Sequence, residues 1–146
     1  RFKGAYFITC NDVIKNPDGT IKELHCTYDP ATRSGSGFDG RKVKGTIHWV
    51  SSKHALNTEI RLYDKLFLKE NPFDTEEGKD YKTNINPESL KVISAFIEPT
   101  VSNCRTSESF QFERHGYFCV DYDSTPEKIV FNKTVSLKDS FNRNPK

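Results

Sequence analysis

The chain of 146 residues contains no methionine, no C-x-x-C pair, and no apolar run near the roughly 20 residues a membrane span requires. Each absence narrows the reading. Without an initiator or a leader ahead of Arg1-Phe2-Lys3, the chain is expected to be a piece of a larger protein, with no membrane partner. The spacing of Cys10, Cys26, Cys104 and Cys119 argues against a zinc site, although their number alone permits two disulfides. Cys10, Cys26 and Cys119 fall in strand-like apolar runs, where free cysteine packs as a small hydrophobe, so a reducing cytoplasm is expected. Core-forming residues are also scarce. Hydrophobic residues make up 34%, charged residues 29%, and the mean hydropathy is -0.71, which favours thin layers with much wet surface. The net charge, 22 minus 20 or +2, with a pI near 8.3, falls short of the footprint above pI about 9 that marks nucleic-acid binding by charge alone.

Catalytic signatures are missing too. There is no G-x-x-x-x-G-K-S/T, no G-x-S-x-G and no H-E-x-x-H, and no serine or cysteine stands in an activating context. Asp121 and Asp123 resemble an acid pair but more simply close a strand and open a turn. His48 and His54 have no carboxylate or thiolate partners nearby in sequence, so no metal ligand set is assigned. On residues alone the chain is a binding module for a wet, polar ligand.

What is present is aromatic and β-branched. Eighteen aromatics, eleven of them Phe, argue against disorder. Residues 5 to 28 read as a hairpin turned by Asn16-Pro17-Asp18-Gly19. Residues 29 to 41 read as a mobile Gly/Ser loop and residues 71 to 87 as a long surface excursion. Further strands are expected at Glu59 to Leu68, Leu90 to Ile97 and Ile129 to Val135, with a polar tail from Ser136. The total is about nine strands and no amphipathic helix, an all-β chain of barrel or sandwich type.

Two stretches carry the chemistry. In Phe110-Gln111-Phe112-Glu113-Arg114 the period of two buries the aromatics and turns Gln111 and Glu113 outward. Gly116 then marks a bulge, a corner, or a close approach of another backbone or ligand before Tyr117 to Val120. Gln, Glu and Arg have planar hydrogen-bonding heads suited to base edges; the competing reading is a solvated face with local charge balance. From Arg41 to Lys53 there are four cations and no acid, joined to a β-branched run with the only tryptophan. Arg41, Lys42 and Lys44 suit phosphates, or else protect an edge strand from pairing.

Those stretches also carry a resemblance. Arg41-Lys42-Val43-Lys44-Gly45-Thr46-Ile47-His48-Trp49-Val50-Ser51, Glu59-Ile60-Arg61-Leu62-Tyr63-Asp64 and Asn86-Pro87-Glu88-Ser89-Leu90 closely resemble the C-terminal region of glutaminyl-tRNA synthetases. Phe110 to Arg114, Gly116 to Cys119 and Val130 to Val135 continue the match in order over nearly the whole chain. The resemblance implies two small β-barrels of the ribosomal-protein-like, anticodon-binding type. The first, truncated, would hold residues 1–44, and the second, with the tail, residues 45–146. It further implies a monomeric parent ligase whose upstream catalytic domain, using ATP and Mg, attaches glutamine to its tRNA. No cofactor or catalytic residue is expected in this piece, which would be inactive alone. By the same resemblance, Gln111, Glu113 and Arg114 line the pocket for the middle anticodon base, and Arg1 and Lys3 lie near that for the first. Lys3 and Lys133 depart from the arginine of many relatives, and an ammonium lacks the guanidinium's planar fork. The alternatives are an archaeal or eukaryotic-type glutamyl-tRNA synthetase, disfavoured by residues 42 to 50, a free-standing RNA-binding barrel of ribosomal type, and a module for a non-nucleic polymer such as carbohydrate.

Overall fold

The computed structural model describes residues 1–37 and 40–137, and the chain divides into two units, Arg1–Trp49 and one beginning at Val50. The all-β expectation holds: the described residues contain seven strands and only short 3-10 turns. The break between the units falls at 49/50. Arg1 is the reason, since its backbone nitrogen donates to the Gly45 carbonyl (2.8 Å) while Ile47 N donates to the Arg1 carbonyl (2.7 Å). Lys3 adds to the seam by donating to Ile47 O and accepting from Trp49 Nε1.

The first unit is built on a hairpin, β1 (Phe7–Lys15) against β2 (Ile21–Asp29). Its turn follows from side-chain chemistry. Asn16 N donates to Thr20 O, Gly19 takes φ 83°, and the Asp18 carboxylate accepts from both Thr20 N and Oγ1. Those Thr20 bonds hold the Asp18 carboxyl below its ordinary pKa. At the other end of the hairpin, Phe7 is buried and its N–H donates to the buried Thr32 hydroxyl at 2.8 Å. The expected loop at residues 29 to 41 begins with a 3-10 turn, Pro30–Thr32, capped by Asp29; residues 38 and 39 lie outside the described residues.

The second unit is one mixed sheet. Its strands are β3 (Leu56–Tyr63), β4 (Leu90–Ile97), β5 (Ser109–Phe112), β6 (Gly116–Val120) and β7 (Val130–Val135), in spatial order β4-β3-β7-β6-β5. Only β3 and β7 run parallel. Alternation fills one face: Ile60 from β3, Ile97 from β4, Phe118 and Val120 from β6 and Phe131 from β7 form the core with Ile129. Ala95 of one edge strand and Phe110 and Phe112 of the other pack on that same cluster, so the sheet curls around it. No ladder joins β4 to β5 among the described residues.

The described residues hold seven strands against the expected nine, and two of the expected runs differ in form. The run at residues 41–49 makes a single parallel bridge, Ile47 to Phe2, instead of a strand. The strand expected to reach Leu68 ends at Tyr63, where Asp64 N turns to Ser89 O and the Asp64 carboxylate accepts from Lys65 N. The excursion beyond it is organised by asparagines. Asn84 Nδ2 donates to the carbonyls of Pro72 (2.8 Å) and Asp74 (3.1 Å), and Asn86 Nδ2 to that of Lys65 (2.9 Å). The polar tail lies outside the described residues from residue 138 onward.

The cysteine expectation needs correction. All four thiols are free, but Cys10 and Cys26 are exposed, because a two-stranded sheet leaves much of its surface wet. Cys119 is half-buried, as is Cys104.

Candidate nucleic-acid interface

In the second unit the β5–β6 hairpin does two jobs with its two faces. Phe112 stacks on Phe118 (centroids 4.4 Å) and meets Phe131 edge-on at 5.0 Å; Phe110 meets the fully buried Phe131 at 5.9 Å. These contacts lock the inner face, so the outer residues stand on rigid backbone. Gln111 is exposed there, and its direct cross-strand neighbour is Tyr117, itself 42% exposed. Tyr117 in turn pairs with Val135 of β7. An amide and an aromatic ring therefore stand side by side on an open face.

Glu113 and Arg114 sit in the turn that follows, closed by His115 N donating to Phe112 O at 2.9 Å. Arg114 takes φ 66°, the left-handed region that L-residues seldom adopt. Glu113 is half-buried and Arg114 exposed. Gly116 explains the geometry: at φ 140° an added Cβ would lie 2.6 Å from Val135 O and 3.1 Å from Lys133 Cε. The ladder slips there, between Tyr117 and Phe118. The backbone that approaches the glycine is therefore that of β7. Gln111, Glu113 and Arg114 lie on one hairpin, but Glu113, expected outward on the strand, sits half-buried in the turn because β5 ends at Phe112.

The first unit gathers its cations around a ring. The Arg1 and Arg41 guanidinium carbons each lie 5.6 Å from the centroid of the Phe7 ring. Arg1 also donates to the Ser34 hydroxyl, and Arg41 is paired with Asp29. Lys3, Lys42 and Lys44 are exposed. Phe2 stacks on Trp49 with centroids 5.4 Å apart, so the tryptophan holds the basic segment against the chain's first residues. Among the described residues no cluster of His, Cys, Asp and Glu has the composition of a metal site, and no helix is long and apolar enough to cross a membrane.

Asp121 and Asp123 belong to an ion cluster. Arg61 reaches Glu59 (2.9 Å), Asp121 (3.2 Å) and Asp123 (2.7 Å), and Lys128 reaches the other Glu59 oxygen at 2.7 Å. Asp121 accepts from Asp123 N and from Asn132 Nδ2, whose amide oxygen takes the Tyr63 hydroxyl. The Asp123 N–H, then Asn132 and Arg61, hold the Asp121 carboxyl below its ordinary pKa; Lys128, then Arg61, do the same for Glu59. With its oxygens so engaged the pair has the make-up of a structural tie across β3, β6 and β7.

Sequence reasoning missed two participants. Tyr117 is the first: alternation counted from Gly116 places it outward with Cys119 while Phe118 and Val120 point in. Phe7 as a platform for two guanidiniums had no local signal, because Arg41 is far away in sequence.

Residues 46–121 match the family described as tRNA synthetases class I (E and Q), anti-codon binding domain. Among curated proteins, the chain is 50% identical over 142 residues to a glutamine–tRNA ligase of Clostridium perfringens, covering 97% of this chain and 25% of that protein. It is 50% identical over 143 residues to one from Clostridioides difficile, covering 97% and 26%. It is 48% identical over 141 residues to one from Nitrobacter hamburgensis, covering 97% and 25%. The chain thus spans about a quarter of the length of the curated relatives it matches.

Proposed function

Because the chain belongs to the class I (E and Q) tRNA synthetase anticodon-binding domain family, we propose that it is the anticodon-reading part of a glutamine–tRNA ligase. The observation that carries the reading is the Gln111–Tyr117 pair on the open face of the β5–β6 hairpin, beside the Glu113–Arg114 turn. Single-stranded loop bases are recognised by stacking on aromatic rings and by hydrogen bonds to their exposed edges. Gln111 offers a donor and an acceptor on one planar amide, which matches the edge of the uracil in the middle of a glutamine anticodon. Tyr117 supplies a ring for the base to lie on, and Arg114 a charged fork or a stacking plane. Arg1 and Lys3 belong near the first anticodon base, and Arg41, Lys42 and Lys44 hold backbone phosphates.

In this reading residues 1–44 are the remaining part of one anticodon-binding barrel and residues 45–146 are a second barrel with the polar tail. The rest of a monomeric, cytoplasmic enzyme supplies ATP- and Mg-dependent activation of glutamine. The 146-residue chain by itself then gives no ATP–pyrophosphate exchange with glutamine. The direct test titrates wild-type chain and Gln111→Ala with anticodon stem-loops that differ only in the middle base. Loss of the amide is expected to cost about 1–3 kcal/mol on the glutamine loop and much less on the changed loop. Equal weakening of both loops would remove Gln111 as a base reader.

A further inference from the structure

We propose that Cys10 and Cys26 are a modification site, a cross-strand dithiol that closes into an intramolecular disulfide by exchange with a small-molecule disulfide. The two residues are direct partners in the β1–β2 register, so their side chains leave the same face of the hairpin. Residues directly opposite in an antiparallel pair have Cα atoms about 4.5–5.5 Å apart, inside the window of about 4.4–6.8 Å that a disulfide spans. Both thiols are exposed, whereas Cys104 and Cys119 are half-buried in the other unit.

Two local features support closure. The ladder slips between Cys10 and Asp12, leaving Asn11 as the extra residue of a bulge, and a bulge loosens the backbone beside it. Cys10 Sγ lies 3.5 Å from the Asp12 carbonyl, a weak contact that exchange need only give up. Partial desolvation and then the neighbouring Cys10 push the Cys26 thiol above its ordinary pKa, as expected for two sulfurs in mutual reach.

The chemistry balances without any group from elsewhere in the fold. The thiolate of one cysteine attacks R–S–S–R, forming a mixed disulfide and releasing one R–S⁻. The thiolate of the other then attacks the protein sulfur of that mixed disulfide, forming the Cys10–Cys26 bond and releasing the second R–S⁻. The protein loses two electrons and two protons, and R–S–S–R leaves as two R–SH. The product pins the middle of the hairpin whose first strand begins at Phe7, the ring that Arg1 and Arg41 flank.

The test equilibrates the chain in glutathione buffers of graded redox ratio, natively and in urea, then quenches with acid, alkylates, and maps peptides by mass. Fifteen residues lie between the two cysteines. For a loop of that size, chain-entropy reasoning places the native equilibrium constant for closure on the order of a hundredfold above the unfolded one. The supporting result is a Cys10–Cys26 linked peptide with Cys104 and Cys119 still alkylated, and a stable glutathione adduct on Cys26 in Cys10→Ser or on Cys10 in Cys26→Ser. A mixed adduct persisting in the wild type, an intermolecular dimer, or equal native and unfolded constants would each overturn the proposal.

Discussion

Gly116→Ala tests the account of the β5–β6 hairpin most sharply, because two separable costs meet at one position. The first is conformational. At φ 140° an L-residue occupies a region that glycine alone tolerates well, at a cost of about 1–3 kcal/mol. The second is crowding. The new Cβ would stand 2.6 Å from Val135 O, and a backbone carbonyl in a ladder cannot swing aside as the Lys133 side chain at 3.1 Å can. Relief therefore means parting β6 from β7 at the Tyr117–Val135 pair, which gives up a hydrogen bond with a net value of about 1 kcal/mol. Together the loss comes to roughly 2–4 kcal/mol, a large share of the roughly 5–15 kcal/mol that holds a typical domain. Gly78→Ala supplies the control. Gly78 has φ 79°, also positive, but nothing lies within 4 Å of its added Cβ, so only the conformational cost of about 1 kcal/mol remains. Urea unfolding of both variants, followed by far-ultraviolet circular dichroism, measures the difference. Equal losses in the two would refute the claim that β7 crowds the turn.

Three further outcomes are expected. Glu59 and Asp121 carry pKa values depressed in the folded state, so their contribution is present above the unfolded carboxylate range near pH 4 and is lost as pH falls through the folded values. Urea midpoints between pH 7 and pH 3 should fall more steeply for the wild type than for Glu59→Gln/Asp121→Asn, and parallel profiles would clear the Arg61 cluster of that role. Lys44→Ala should weaken binding to all stem-loops alike and flatten the slope of log affinity against log salt by roughly 0.7, read from titrations at several salt concentrations; an unchanged slope would take Lys44 off the phosphates. Tyr117→Ala should cost about 1–3 kcal/mol of stem-loop affinity while Tyr117→Phe keeps most of it, since the ring face does the stacking; equal losses would assign the effect to the hydroxyl.

The fold was legible where one period ran uninterrupted. Ile60 and Leu62 against Glu59, Arg61 and Tyr63 gave β3 its inner and outer faces, and β4 runs Leu90–Ile97 as expected, just ahead of Pro99. Local pattern was silent where pairing is long-range. Nothing in the residues of β3 and β7 announces that they run parallel, or that Thr58 Oγ1 donates to Ile129 O across 71 positions. The run at residues 41–49 misled for the opposite reason. Its β-branched residues fit a strand, but its hydrogen bonds to the chain's first residues support one bridge, and a strand without a ladder is only extended chain.

The candidate interface divides the same way. Gln111, Glu113 and Arg114 were visible because they fall within four residues and Gln111 and Glu113 alternate with aromatics. Tyr117 was not, because its role depends on which residue lies across the ladder. With Gln111 opposite Tyr117 the outer face pairs an amide with a ring, while a register shifted by one residue would pair Gln111 with an inward side chain and dissolve the site. Gly116 supports that register: it pairs with Phe112, and its lack of a Cβ lets β7 pass close enough to hold Tyr117 against Val135. The glycine is thus the backbone condition under which the neighbouring polar residues present one surface.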